Sequence, residues 1–97
     1  MPYVLKQKKT GLIYSCMLVN HYGLAYYGVK FWGEHQEAEE NFERFLNTVG
    51  MKENGEWAIF ELEEREMKLC NVKLKNDPNY ELIWQDTRKP LVRIVEN

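Results

Sequence analysis

His35, Glu39 and Glu43 stand four residues apart, so on a helix they line one stripe. Such a stripe could supply a general acid and base, or two or three metal ligands. It holds a single histidine, however, and no second cluster along the chain completes a ligand set. The better reading is a solvated face whose carboxylates complement the positive end of the helix dipole. His21, His35, Cys16 and Cys70 are the whole complement of His and Cys. Their spacing matches none of the zinc patterns, which pair ligands within a few residues. Cys16 with His21 as nucleophile and base lacks an orienting third group and an oxyanion site. Gly23 and Gly28 form no dinucleotide or phosphate loop. No catalytic residue, metal or cofactor is expected, and the chain reads as non-enzymatic. A small-molecule pocket between helix and sheet, titrating through His21 or His35, would require a polar cavity.

The segment from His21 to Trp32 is dense in aromatics and leads into an acidic helix start. Alternation puts Leu24, Tyr26, Gly28, Lys30 and Trp32 on one face of a strand, and Ala25, Tyr27, Val29 and Phe31 on the other. Ala25, Val29 and Phe31 read as the set beneath the helix. Tyr26 and Trp32 then flank Lys30 on the second face, with Ile13, Met17 and either Trp57 or Trp84 beside them. A lone helix covers only one side of a wide sheet, and an uncovered apolar face usually signals a partner. Trp, Tyr and Met are enriched at interface cores. The expected role is therefore a small interaction protein that meets a protein partner or a second copy of itself through this face or a sheet edge. Met17, Tyr26 and Trp32 are the expected contacts. The alternative is a single-stranded nucleic-acid binder, with the same aromatics stacking bases while Lys6, Lys8 and Lys30 neutralise phosphates. The net charge of −2 and the lack of an RNA-binding signature weigh against it. A sheet closed on itself would bury both faces and leave no such surface.

The elements that must carry these residues follow from the hydrophobic pattern. At 97 residues the chain is expected to form one α+β domain spanning 1–97. With 44% hydrophobic and 29% charged residues it has ordinary globular usage, and the 13% aromatic content argues against disorder. Lys6, Lys8 and Lys9 make a basic start, Glu34 to Glu43 an acidic centre, and Arg88, Lys89 and Arg93 a basic end. The N-terminus carries no apolar core of a signal peptide and no run reaches membrane-spanning length, so a cytoplasmic, soluble protein without membrane contact is expected. The two cysteines read as small buried hydrophobes.

Tyr3 to Gln7 reads as a strand, Lys8 to Gly11 as a turn, and Leu12 to Val19 as a second strand. Asn20 to Gly23 turns the chain into a third strand, Leu24 to Trp32, in which Gly28 marks a bulge or a close approach. Between Gly33 and Gly50 the residues Ala38, Phe42, Phe45, Leu46 and Val49 fall on one face at 3.6 residues per turn, and Gly50 suits the helix end. Lys52 to Glu56 reads as a polar turn, and Trp57 to Leu62 as a strand. From Glu63 onward, helical i, i+4 pairs compete with a period-two alternation of Cys70, Val72 and Leu74. The alternation favours strands joined near Glu64 and Arg65. Asn76 to Asn79 turns into Tyr80 to Trp84, and Asp86 to Pro90 turns into Leu91 to Val95. The sum is a mainly antiparallel sheet of five to seven strands with one amphipathic helix packed on it.

Overall fold

The computed structural model describes residues 1–50 and 56–95. The expected turn at Lys52 to Glu56 lies, apart from Glu56, outside the described residues. The elements run β1 (Tyr3–Gln7), β2 (Leu12–Ile13), β3 (Ser15–Val19), β4 (Ala25–Val29), β5 (Phe31–Trp32), α1 (His35–Thr48), β6 (Trp57–Glu61), α2 (Glu64–Leu74), β7 (Tyr80–Trp84) and β8 (Pro90–Ile94). The class is α+β, as expected, with a curled antiparallel sheet at its centre.

β1 is the middle of that sheet. Along one edge it pairs with β6 over its full length, from Tyr3 opposite Glu61 to Gln7 opposite Trp57. Its other edge is divided: Tyr3 and Val4 face β5, and Lys6 faces Ile13 of β2. β2 continues to β7, and β7 to β8. The turn before β2 closes against the end of β7, because the Trp84 N–H donates to the Gly11 carbonyl at 2.8 Å. A side chain at Gly11 would drive its Cβ to 2.8 Å from the Trp84 carbonyl oxygen, and the residue has φ +79°, so only glycine fits.

Successive residues of the central strands feed opposite cores. Val4, Ile13, Phe60 and Leu82 pack with Met67, Cys70 and Leu74 of α2. Leu5, Leu12, Trp57 and Ile59 pack with Ala38, Phe42, Phe45 and Leu46 of α1. The sheet is therefore sandwiched between two helices. This is the main difference from the expected arrangement, in which one helix left a whole face bare.

The second helix lies where period-two alternation suggests strands. Cys70 and Leu74 are four apart, a spacing that is even and also one helical turn, so they satisfy both patterns. Val72 separates the two: a strand would bury it with its neighbours, and it is exposed on the outer side of α2. The helix starts on a capping box, the Glu66 side chain accepting the Glu63 N–H while Glu63 caps the first turn in return. It ends at Lys75 in the left-handed region, φ 53°. The helix from Gly33 to Gly50 forms as α1, with Ala38 and Leu46 fully buried and Phe42 and Phe45 half-buried beside them.

Candidate interaction surface

β2–β3 and β4–β5 form one long hairpin with a break. At the break the Lys30 N–H donates to the Tyr14 carbonyl at 3.2 Å, and the Tyr14 N–H donates to Leu5 of β1. Below it, the arms join the main sheet. Beyond it, β3 and β4 pair only with each other and leave the sheet as a separate two-stranded ribbon. The tip closes on Asn20, whose side-chain oxygen accepts the N–H groups of Tyr22 and Leu24 at 2.9 and 3.0 Å.

The ribbon's two edges differ. On β4, the N–H of Val29 donates to Asn71 Oδ1 at 3.0 Å and that of Tyr27 to Asn76 Oδ1 at 2.6 Å. The Tyr27 hydroxyl donates to the Tyr80 carbonyl at 2.8 Å. Burial and the nearby Glu81 charge raise its pKa, so it stays protonated as a donor. Because Tyr27 and Val29 direct their backbone groups away from β3, their cross-strand partners Met17 and Ser15 direct theirs away from β4. The outer edge of β3 thus presents the N–H and C=O groups of Ser15, Met17 and Val19, and among the described residues no backbone group pairs with them.

The ribbon is also apolar on its outside. Met17, Val19, Tyr22 and Leu24 are 57%, 69%, 77% and 63% exposed. No Asp, Glu, Lys or Arg lies between Lys9 and Lys30. Edge strands in monomeric proteins are normally guarded by charge, proline or a covering element. β8 is guarded in this way, beginning at Pro90 and carrying Arg93 ion-paired to Glu81.

The three expected contacts separate. Met17 is on the ribbon's open edge and well exposed. Tyr26 is on the ribbon but half-buried, because its ring lies over Gly28, where a Cβ would come within 2.8 Å of it. Trp32 is not a surface residue: it is 6% exposed and packs edge-on against Phe45 of α1, ring centroids 5.9 Å apart. Alternation shows correctly that Trp32 and Lys30 share a face, but that face is the one α1 covers. The set expected beneath the helix divides: Val29 packs under α2, while Ala25 and Phe31 are exposed.

The three lysines also separate. Lys6 lies over the Phe60 ring at 4.4 Å on the α2 side, and Lys8 lines the same shallow surface. Lys30 lies over Trp32 and Phe45 on the α1 side, at 5.1 and 5.0 Å. They form no common groove beside the aromatics. Of the groups with chemical potential, His35 Nδ1 pairs with Glu39 at 2.8 Å on the exposed start of α1, and His21 stacks on Tyr22 at the ribbon tip. Among the described residues no three His, Cys, Asp or Glu side chains gather as a metal site. Both cysteines are free thiols; burial raises the pKa of Cys16 and pushes that of Cys70 up to about 12, so both are protonated at neutral pH and neither is a ready nucleophile.

The ionic feature that sequence reading missed is Glu66 with Arg88. The guanidinium makes a two-pronged contact, Nη2 to Oε1 at 2.7 Å and Nε to Oε2 at 3.0 Å, and lies over the rings of Phe60 and Trp84. Arg88 holds the Glu66 carboxyl below the usual carboxylate range, chiefly through these hydrogen bonds. The pair fastens the start of α2 to the β7–β8 turn. The missed contact candidates, Val19, Tyr22 and Leu24, do carry a sequence signal, the charge-free run between Lys9 and Lys30. No described helix is long and apolar enough to cross a membrane. No family model, curated protein or solved structure matches the chain.

Proposed function

We propose that this chain is a small, non-enzymatic interaction module that self-associates through the β3–β4 ribbon. The observation that carries the reading is the combination at that ribbon: apolar side chains held out of both cores, no charge to keep them in water, and an unguarded strand edge. Met17, Val19, Tyr22 and Leu24 are the anchors, and Tyr26 flanks them. Two free thiols support a reducing compartment, and we place the protein's action in the cytoplasm. The separation of Lys6 from Lys30 across the sheet leaves the nucleic-acid alternative without a continuous binding track.

Light scattering over a concentration series tests the reading. The parent's mean mass rises above that of the monomer with concentration. Val19→Asp weakens association at least tenfold, because it places a charge on each strand of the contact. Its melting temperature at low concentration stays that of the parent, since Val19 is in neither core. A parent that keeps the monomer mass at every concentration sinks the reading.

A further inference from the structure

We infer that two copies join by pairing β3 with β3, antiparallel, about a two-fold axis through Met17, so that two ribbons become one four-stranded sheet. The inference rests on the self-association reading and names the partner segment and its register.

The register follows from which backbone groups are free. Ser15, Met17 and Val19 present theirs outward, and Met17 is the middle of the three. An axis at Met17 sets Met17 opposite its own copy and Ser15 opposite the other copy's Val19. Each of these positions then exchanges N–H···O=C bonds with its mate. Sliding one strand by a single residue opposes outward groups to inward ones and loses the ladder, and sliding it by two, which moves the axis to Cys16 or Leu18, leaves only two of the three positions exchanging bonds within β3.

Charge points to a second copy as the occupant. A two-fold axis sets a strand against itself, so any charge near it meets its own kind, and like charges directly opposite are destabilising. β3 is the strand where this cost vanishes, because the run from Thr10 to Val29 carries no Asp, Glu, Lys or Arg, and its one histidine, His21, lies beyond the strand. β6 and β8 also lie at the margin of the main sheet, but β6 ends in Glu61 and β8 opens with Pro90, which has no N–H to donate.

The shape at the ribbon's base agrees. Continuing the same register sets Asn20 of one copy opposite Tyr14 of the other, and carries the His21–Tyr22 tip to where β3 departs from β7. A cavity of about 170 Å³ lies there, lined by Leu12, Tyr14, Ser15, Trp57, Glu81 and Val95. The tip supplies what such a cavity takes: the ring of Tyr22, 77% exposed in the single chain. The contact therefore extends beyond five residues of backbone toward the size that a stable dimer needs, roughly 800 Å² per partner.

Cysteine cross-linking tests the axis. In a Cys16→Ser background, Met17→Cys puts two thiols on the axis, within the Cα separation a disulfide tolerates, about 4.4–6.8 Å. Val19→Cys puts them at positions that face Ser15, far from each other. Cys70 is buried and stays out of the reaction. Under mild oxidation Met17→Cys forms the covalent dimer at least tenfold faster than Val19→Cys. Hydrogen exchange on the parent gives a second readout: the amides of Ser15, Met17 and Val19 gain protection as concentration rises. Equal cross-linking rates, or concentration-independent exchange at these amides in a parent that does dimerise, overturn the β3 register and leave self-association standing. A monomeric parent removes both.

Discussion

The two edges of the β3–β4 ribbon carry the same kind of backbone and are finished in opposite ways. On β4, side-chain oxygens of Asn71 and Asn76 accept the N–H groups that a neighbouring strand would otherwise take. On β3, the equivalent groups of Ser15, Met17 and Val19 find no backbone partner among the described residues. The amide side chains of α2 and of the turn after it take the place of a strand on one side, and among the described residues nothing does so on the other. A buried unpaired backbone group is costly and an exposed one is not. The guarded edge is therefore the one against the core, where Val29 is fully buried, and the bare edge is the one in solvent, open to pairing.

The largest effect that sharpens this contrast comes from Trp32, which shares a strand face with Tyr26 but sits inside. Trp32→Ala removes an indole from the α1 core and costs about 3–5 kcal/mol of stability, measured by urea unfolding. A loss below about 1 kcal/mol would return Trp32 to the surface. The next test opens the guarded edge. Asn71→Ala strands the Val29 N–H and costs about 1–3 kcal/mol, with faster hydrogen exchange at the Val29 amide, while the β3 amides are unchanged. Unchanged exchange at Val29 would show that the asparagine is not the guard.

The smallest effect concerns pH. Glu66 ties α2, and with it the β4 edge, to the β7–β8 turn through Arg88. Its folded pKa is depressed, so the unfolded chain takes up the proton first as pH falls. The pair's contribution is complete above the ordinary glutamate value of about 4.3 and is lost as pH drops through the depressed value. The melting temperature of the parent falls more between pH 6 and pH 3, on the order of a few degrees, than that of Glu66→Gln. Parallel pH profiles would remove the linkage.

Much of the fold is legible along the chain. The positions of β1, α1, β6, β7 and β8, to within a residue or two at their ends, follow from alternation, from the apolar stripe of α1 and from turn residues, because each is a local pattern with one good solution. α2 is not, since Met67, Cys70 and Leu74 fit a helix while Cys70, Val72 and Leu74 fit a strand. Only the core that receives Cys70 and Leu74 and leaves Val72 outside settles the choice. The candidate surface is half legible in the same way. Met17 and Tyr26 are found by residue type and alternation, whereas Val19, Tyr22 and Leu24 come from the absence of charge around them. Trp32 is misplaced because alternation sorts residues into faces without saying which helix covers which face.

What the amino-acid order determined alone is short-range: which residues outside α2 are extended, which wind into α1, and that the stretch from Thr10 to Val29 has no Asp, Glu, Lys or Arg to hold it in water. Residues within a turn of one another decide these things, so they need no distant partner. Tertiary structure alone decided that a second helix closes the other side of the sheet, that the ribbon leaves the sheet at Tyr14 and Lys30, and that Asn71 and Asn76 guard one of its edges. The asparagine contacts join residues more than forty positions apart, and only packing brings such residues within reach.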